Sequence, residues 1–317
     1  MGKSSKNRAD WSNYWRGRTA GDTGEVFAGV GIETSDELIA IWRAAFAEIG
    51  DARVLDIACG AGSALKHADA AGAPALFALD ISEHAVASAC STVPRALGVV
   101  ASADRLPFPD GALDRVVSQF GFEYANREAA AREVARVLKP GGRFQAIVHL
   151  SGGAIARECS GHLQHLNRVR DSRFIPATKD LFASLFKADT DKTGPAQSAL
   201  QGALKVFGAA QTHLMPAVQA GGLAAHLHGG ARQLYERRKG YSEADITGWL
   251  DGMAAEIDAY RGRMEGMLGA AIGAEEAGDL ARMIQGGAGH GGNGARVEPL
   301  ELGGEAAALW IEAVREG

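Results

Sequence analysis

Apolar and polar residues follow one another along residues 36–150 in short runs and helical repeats. Residues 36–49 predict an amphipathic helix, because Leu38, Trp42 and Phe46 recur at a helical spacing. Five apolar runs predict strands at residues 53–58, 75–82, 96–102, 113–121 and 143–150. The intervening segments predict helices at 63–72, 83–93 and 127–138, followed by a turn at 139–142. Strands and helices alternating at this spacing form a parallel sheet covered on both faces.

The pattern changes after residue 151, because residues 152–272 contain almost no β-branched runs and several helix signals. Pro176 and Pro195 occupy positions typical of a first helical turn. Ser242 and Asp245 form the pattern of a capping box that opens a long helix. We interpret the apolar face of that helix as a core stripe; it consists of Ile246, Trp249, Leu250, Met253, Ile257, Tyr260, Met264 and Met267.

The last part of the chain returns to the earlier pattern, with a helix near 275–285 and two terminal strands at 295–302 and 306–316. We therefore predict one α/β domain, formed by residues 36–151 and 273–317, with a helical insertion at 152–272 after the fifth strand. Two uses of the insertion stay open: a lid or side wall over a ligand pocket, or the interface of a homodimer.

Composition narrows the class of protein. The 317 residues are 46% hydrophobic and 22% charged, as expected for a globular protein, and the net charge of −5 gives no reason to expect wrapping by nucleic acid. Three distant cysteines provide neither a disulfide framework nor a CxxC metal pair, so no metal site is predicted. Without an apolar run long enough to span a bilayer or a signal peptide at the polar start, we expect a cytoplasmic protein with no membrane segment.

The segment VLDIACGAGSAL, residues 54–65, carries the strongest chemical signal. A strand that contains Asp56 runs into a turn at Gly60 and Gly62, where the absence of side chains allows a ligand to approach the backbone. Asp80 ends the next strand, a position from which a carboxylate can bind both hydroxyls of a ribose. The interpretation as a dinucleotide-binding site is weakened, because the GxGxxG fingerprint needs a third glycine where this chain has Leu65. A phosphate-binding loop is absent from the sequence.

Four ordered motifs extend this signal: VLDIACGAG, FALDIS, ASADRLPFPDGALDRVVSQFGFEYA and RVLKPGGRF. In this order the chain resembles the class I S-adenosylmethionine-dependent methyltransferases, in particular the group that includes quinone-biosynthesis methyltransferases. The resemblance covers residues 50–150. It implies a doubly wound, Rossmann-like sheet of seven strands, mostly parallel with the last strand antiparallel. It also implies methyl transfer from S-adenosyl-L-methionine to a small organic acceptor, with S-adenosyl-L-homocysteine as product.

The same resemblance implies a set of cofactor-binding residues. The methionine part would lie among Asp56, Ala58, Cys59, Gly60 and Gly62. Asp80 would hold the ribose and Ile81 would pack on the adenine. Relatives usually show GDAE where this chain has ASAD, so Ser102 replaces an acid at the adenine, with Ala103 and Asp104 beside it. Gln119 and Phe120 would lie between the cofactor and the acceptor.

The segment WSNYWRGRT, residues 11–19, resembles the short leader that caps the cofactor in this group, and we assign residues 1–35 to that leader. Tyr14 and Trp15 would place aromatic faces near a sulfonium, a cation–π contact; alternatively they cover the sheet edge. Cys59 has no neighbouring base in the sequence and is interpreted as a packing residue rather than a nucleophile.

Glu123 and His149 follow the fourth strand and end the fifth, so both are candidates for a general base or for structural polar groups. Two alternatives to a small-molecule methyltransferase stay open. The basic runs at 168–173 and 236–240 could contact RNA, although solvated helix faces explain them more simply and nucleic acid is disfavoured overall. A regulatory protein that binds the cofactor without transferring methyl groups is suggested by Ser102.

Overall fold

The protein is described by a computed structural model that covers Trp11, Trp15, residues 36–286 and residues 294–317. It divides into two compact units, one formed by the chain up to Arg157 together with Ala270–Gly317, the other by Glu158–Gly269. Tyr14 and most of the predicted leader lie outside the described residues, so the leader stays a prediction.

The first unit is built on a sheet of seven strands with the order β3-β2-β1-β4-β5-β7-β6. The strands are β1 Arg53–Ile57, β2 Ala75–Asp80, β3 Leu97–Val100, β4 Leu113–Gln119, β5 Leu138–His149, β6 Ala295–Leu302 and β7 Glu305–Val314. β1 to β5 pair in parallel, whereas β7 is antiparallel to both β5 and β6. The predicted seven-stranded, mostly parallel α/β fold is confirmed.

The helices of the described chain are α1 Asp36–Ala45, α2 Leu65–Ala70, α3 Glu83–Thr92, α4 Arg127–Val137, α5 Ala154–Asp171, α6 Phe174–Thr190, α7 Gly194–Gln219, α8 Gly222–Glu236, α9 Glu243–Ala270 and α10 Ala274–Gln285. Local sequence explains where several begin. The Ser82 hydroxyl accepts from the Ala85 amide to cap α3, and the Asn126 side chain accepts from the Ala129 amide to cap α4.

The core of this unit lies between the sheet and helices such as α4 and α10. Its members include Leu55, Leu113, Phe144 and Ile284, all fully buried. Burying each such side chain stabilises the fold by about 1.5–3 kcal/mol relative to exposure. The buried strands explain the near-continuous apolar runs of the sequence, because both faces of a parallel sheet are covered.

One predicted boundary is wrong. Residues 139–142 were expected to form a turn between a helix and the fifth strand, but they lie within β5, which already begins at Leu138. Leu138 pairs with Leu113 of β4, and the register then shifts before Arg143 pairs with Arg115. The Pro-Gly-Gly turn signal is therefore accommodated as an irregularity inside a paired strand.

The second unit is helical. Phe174 of α6 is buried and its ring lies 5.3 Å from that of Phe207. Ser242 and Asp245 form the predicted capping box of α9: the Asp245 amide donates to the Ser242 hydroxyl and the Ser242 amide to the Asp245 carboxylate. The predicted core stripe of α9 is confirmed, because six of its members are buried: Ile246, Leu250, Met253, Ile257, Met264 and Met267.

No helix within the described part of the chain is both long and apolar enough to cross a bilayer.

Candidate functional site

A cavity of about 440 Å³ opens at the carboxyl ends of β1, β2 and β4 in the first unit. The chain proceeds from β1 outward through β2 to β3 and then crosses to β4 on the other side of β1, which makes this edge the switch point of the sheet. Ligands of doubly wound sheets bind at such points. The predicted residues that line the cavity are Trp15, Asp56, Ala58, Cys59, Gly60, Asp80, Ile81, Ser102, Ala103, Asp104, Gln119 and Phe120.

Asp80, at the end of β2, is buried and fixed by the backbone around it. Its Oδ2 atom accepts from the Gly60 amide at 3.1 Å, and its Oδ1 atom accepts from the Ser82 amide at 2.9 Å. Burial raises the pKa of Asp80 to about 6, although these amides and that of Ile81 act in the opposite direction. Each carboxylate oxygen has a second lone pair, so Asp80 can still accept from two hydroxyl groups.

The carboxyl group of Asp56, near the end of β1, is buried and only partly hydrogen-bonded. Its Oδ1 atom is buried and has no hydrogen-bond partner within the described residues. Burial, and then the charge of Asp80, raise the pKa of Asp56 well above its usual value, while a hydrogen bond from the Leu65 amide lowers it. An orphaned buried carboxylate oxygen costs free energy unless a donor or a cation reaches it.

The turn after β1 brings backbone close to an aromatic ring. Gly60 has φ of +52°, and a β-carbon there would lie only 2.7 Å from Cζ2 of Trp15. Trp15 is itself buried. Gly62, with φ of +81°, instead faces Ala89 of α3 at 3.4 Å and does not line the cavity. Gly60 therefore serves close approach at the cavity, and Gly62 serves helix packing.

Three aromatic side chains line another part of the cavity surface. They are Trp11, Phe120 and Tyr124 and are called the aromatic wall below. The Trp11 ring meets the Tyr124 ring edge-on at 5.1 Å. Phe120 has φ of +52°, a left-handed conformation that costs a bulky residue about 1–3 kcal/mol and is typical of functional sites.

Sequence reasoning did not single out Trp11, Gly121, Tyr124 or Asn126, all of which line the cavity. The signal for Trp11 was its spacing of four residues before Trp15, which places both on one helical face. The other three directly follow β4 at the ligand end of the sheet. A β-carbon at Gly121 would lie 2.6 Å from that of Ala58, so the ends of β4 and β1 approach closely here.

The two candidate catalytic residues lie together but behind the wall. Oε1 of Glu123 is 2.6 Å from Nδ1 of His149, and both residues are only 1% exposed. Neither is among the described residues that line the cavity. A catalytic role for them stays a prediction.

The charges of the cavity have one sign. Asp56, Asp80 and Asp104 line it, and no lysine, arginine or histidine of the described chain does. Buried Cys59 lies beside these acids, and burial followed by the charges of Asp80 and Asp56 raises the pKa of its thiol well above the usual value. The site is therefore suited to a ligand with positive charge and hydroxyl donors, and Cys59 is not an activated nucleophile. A sulfonium nucleoside with an ammonium group fits this donor set.

Comparison with known proteins agrees with this chemistry. Residues 55–146 match the family model described as a methyltransferase domain. A demethylmenaquinone methyltransferase of Mycolicibacterium paratuberculosis is 32% identical over 151 residues, which cover 47% of this chain and 63% of that protein. The rat mitochondrial arginine-hydroxylase NDUFAF5 is 32% identical over 123 residues, 38% of this chain, so the match spans about a third of the length of that relative.

Among solved structures, an S-adenosylmethionine-dependent methyltransferase of Mesorhizobium loti aligns with a TM-score of 0.35 and 29% identity, covering 38% of this chain and 57% of that one. With the family match over residues 55–146 and this sheet order, the first unit contains a methyltransferase domain.

Proposed function

We propose that the protein transfers a methyl group from S-adenosylmethionine to a small organic acceptor. The observation that carries the proposal is the acidic cavity at the switch point, with its orphaned Asp56 oxygen and its aromatic wall. When bound, the cofactor supplies a methyl group whose carbon–sulfur bond breaks in line as an acceptor lone pair forms the new bond and the sulfur keeps the electron pair.

The residues divide this task between them. Asp80 would accept from the ribose hydroxyls, and Asp56 would meet the ammonium group with its unpartnered oxygen. Gly60 leaves room for Trp15 to approach the turn, and the Trp15 ring would face the sulfonium. Ser102, Ala103 and Asp104 line the part of the cavity where the adenine would lie. Most of the rate enhancement would come from orientation, which can supply on the order of 7–11 kcal/mol.

A small acceptor is favoured over RNA by the charges of the described residues. The cavity is lined by acidic side chains and by no basic residue of the described chain, so it offers no attraction to phosphates. One arginine of each basic run is paired with an acid: Arg170 bonds Asp171, and Arg238 lies 3.6 Å from Asp189. The expected cytoplasmic location and a dimer formed through the helical insertion stay predictions of this proposal.

The test is transfer of label from methyl-tritiated S-adenosylmethionine into a cell extract that has been separated into small molecules and RNA. We expect label in the small-molecule fraction, because an acidic, aromatic cavity admits a small neutral acceptor. Asp80→Asn should abolish transfer by removing one ribose acceptor. Asp51→Asn, an exposed acid far from the cavity lining, is the matched control and should transfer like the unaltered protein.

Two outcomes would contradict the proposal. Label confined to the RNA fraction would show that the acceptor is RNA and not a small molecule. Tight binding of S-adenosylhomocysteine in calorimetry with no label in either fraction would instead indicate a regulatory protein.

A further inference from the structure

Glu123 and His149 form a buried pair in which one carboxylate oxygen fixes two atoms of the same residue. Oε1 of Glu123 lies 2.6 Å from Nδ1 of His149 and also accepts from the His149 backbone amide at 3.1 Å. The exposed fractions of the two side chains are 0% and 2%. One carboxylate oxygen of Glu123 therefore lies against both the backbone and the ring of His149.

That imidazole contacts two members of the aromatic wall. It stacks on the Phe120 ring with the centroids 4.6 Å apart and the planes 29° from parallel. The Tyr124 ring meets it edge-on at 5.9 Å. Phe120 and Tyr124 line the cavity, whereas the described lining does not include Glu123 or His149. The pair therefore reaches the cavity through these two rings.

The end of β5 also holds the backbone of Phe120. The Phe120 amide donates to the Ile147 carbonyl at 2.7 Å, two residues before His149. With φ of +52°, Phe120 keeps this conformation only where its surroundings determine it. The stacked ring of His149 and the hydrogen bond to the Ile147 carbonyl together hold Phe120 in this backbone conformation.

We propose that Glu123 and His149 are positioning residues, which hold Phe120 and Tyr124 in place so that a flat or apolar acceptor packs against them. The assignment rests on the proposed function. It differs from the proton-acceptor role expected from the sequence, because a proton acceptor must reach the acceptor molecule and these side chains are covered by the rings they support.

Two double variants separate ring support from proton transfer. Glu123→Gln combined with His149→Phe keeps a stacked ring and removes the ionisable groups. Glu123→Gln combined with His149→Leu keeps a similar volume and removes the ring. Phe120→Leu, which leaves the buried pair intact and removes the supported ring, is a third variant that keeps the proposal testable if the His149→Leu protein does not fold.

Three measurements are made on each variant and on the unaltered protein. Calorimetry gives the affinity for S-adenosylhomocysteine. Fluorescence titration gives the affinity of the S-adenosylhomocysteine-loaded protein for 2-naphthol, which serves as an aromatic probe. Label transfer to serial dilutions of the small-molecule fraction gives the dilution at which transfer is half-maximal, and repeating it at several pH values gives a pH profile. Circular dichroism establishes folding.

We expect the double variant with Glu123→Gln and His149→Phe to keep its 2-naphthol affinity and its transfer rate within about threefold. The shape of its pH profile should be unchanged. The His149→Leu and Phe120→Leu variants should bind 2-naphthol about tenfold more weakly and need correspondingly more acceptor, as expected for loss of an aromatic pair. Affinity for S-adenosylhomocysteine should stay within about threefold in the two double variants, whose changed residues are not part of the described lining, whereas Phe120→Leu is judged by 2-naphthol binding.

Two results overturn the proposal. If the Glu123→Gln, His149→Phe protein loses transfer, or transfers at a rate that no longer falls at acidic pH, while 2-naphthol still binds, His149 is the proton acceptor. If the His149→Leu and Phe120→Leu variants bind 2-naphthol like the unaltered protein, Glu123 and His149 do not hold the aromatic rings in place for an acceptor. Should the unaltered protein transfer no label, the proposed function fails, whereas the 2-naphthol affinities still decide the positioning role.

Discussion

Asp80 and Asp56 are the residues whose chemistry depends most on their surroundings. Both are buried, and their carboxyl groups face the same cavity as Cys59 on the turn and Asp104 beyond β3. Cys90 of α3 also lies near enough to Cys59 to raise the pKa of its thiol. Because no basic side chain of the described lining offsets them, the two acids retain protons more strongly than exposed carboxyl groups do.

The pH dependence of cofactor binding follows from the pKa of Asp80, which burial raises to about 6. Ribose hydroxyls and a nearby cation favour the ionised carboxylate, so binding lowers this pKa. Above pH 6 the acid is already ionised, and below pH 6 its proton competes with the ligand. We expect the Kd for S-adenosylhomocysteine, measured by calorimetry, to be flat above pH 7 and to rise by up to about tenfold per pH unit below 6.

Asp80→Asn is the decisive comparison for this pH dependence, since it cannot titrate. Its affinity should be weaker at every pH and the rise below pH 6 should be smaller, whereas Asp51→Asn should follow the unaltered protein. An equally steep rise in Asp80→Asn would assign the dependence to another group, with Asp56 the first to be tested.

At the scale of elements, Ser118 joins three of them beside the cavity. Its buried hydroxyl donates to the Ile57 carbonyl of β1 at 2.9 Å and accepts from the Phe122 amide of the short 3₁₀ turn Phe122–Tyr124 at 3.0 Å. Ser118 itself belongs to β4. The single hydroxyl therefore connects two strands and the turn that carries Glu123 and Tyr124.

Ser118→Ala should lower the free energy of unfolding by about 1–3 kcal/mol, because it removes two buried hydrogen bonds and leaves the buried Phe122 amide without its acceptor. Urea denaturation measures the loss, and an unchanged m-value would show that the compactness of the unfolded state is unaffected. The control is Ser91→Ala, whose exposed hydroxyl donates only within α3 and whose loss should cost less than about 0.5 kcal/mol. Equal losses in the two variants would contradict the linking role.

Much of the element order could be predicted from the sequence, because strands of a covered parallel sheet are short apolar runs and the helices between them have capping residues. β6 coincides with the predicted residues 295–302. The start of β5 could not be predicted, since pairing of Leu138 with Leu113 is a tertiary contact that overrides the turn signal of residues 139–142.

The candidate site was predictable where motifs mark it, as at Asp56, Gly60 and Asp80, but not where packing decides it. Glu123 and His149 were predicted just beyond the fourth and fifth strands; the structure has Glu123 in the turn after β4 and His149 as the last residue of β5, and the rings of Phe120 and Tyr124 lie against His149. Ring orientations of this kind depend on contacts between distant residues, which periodicity does not encode.

At the scale of the whole molecule, cofactor binding should stabilise the folded protein by mass action. At a free concentration of S-adenosylhomocysteine about 100 times its Kd, the free energy of unfolding should rise by about 2.7 kcal/mol. For a unit of about 200 residues this corresponds to an increase of about 5–11 °C in Tm, which differential scanning calorimetry measures.

The same ligand concentration should leave the Tm of Asp80→Asn nearly unchanged, because that variant is far from saturation. An equal increase in both proteins would mean that the ligand stabilises the fold from a site other than the cavity described above.

The position of β7 in the sheet has a consequence for synthesis on the ribosome. β7 fills the place beside β5, pairing along Arg143–His149, but roughly 150 residues must be translated after β5 before β7 emerges. At about 5–20 residues per second this takes roughly 8–30 s. During that interval the nascent chain presents an unpaired strand edge next to apolar side chains such as Phe144 and Ile147, a template for pairing with a neighbouring chain. Expression yield should therefore depend on chaperones that cover this edge until translation reaches the final hairpin.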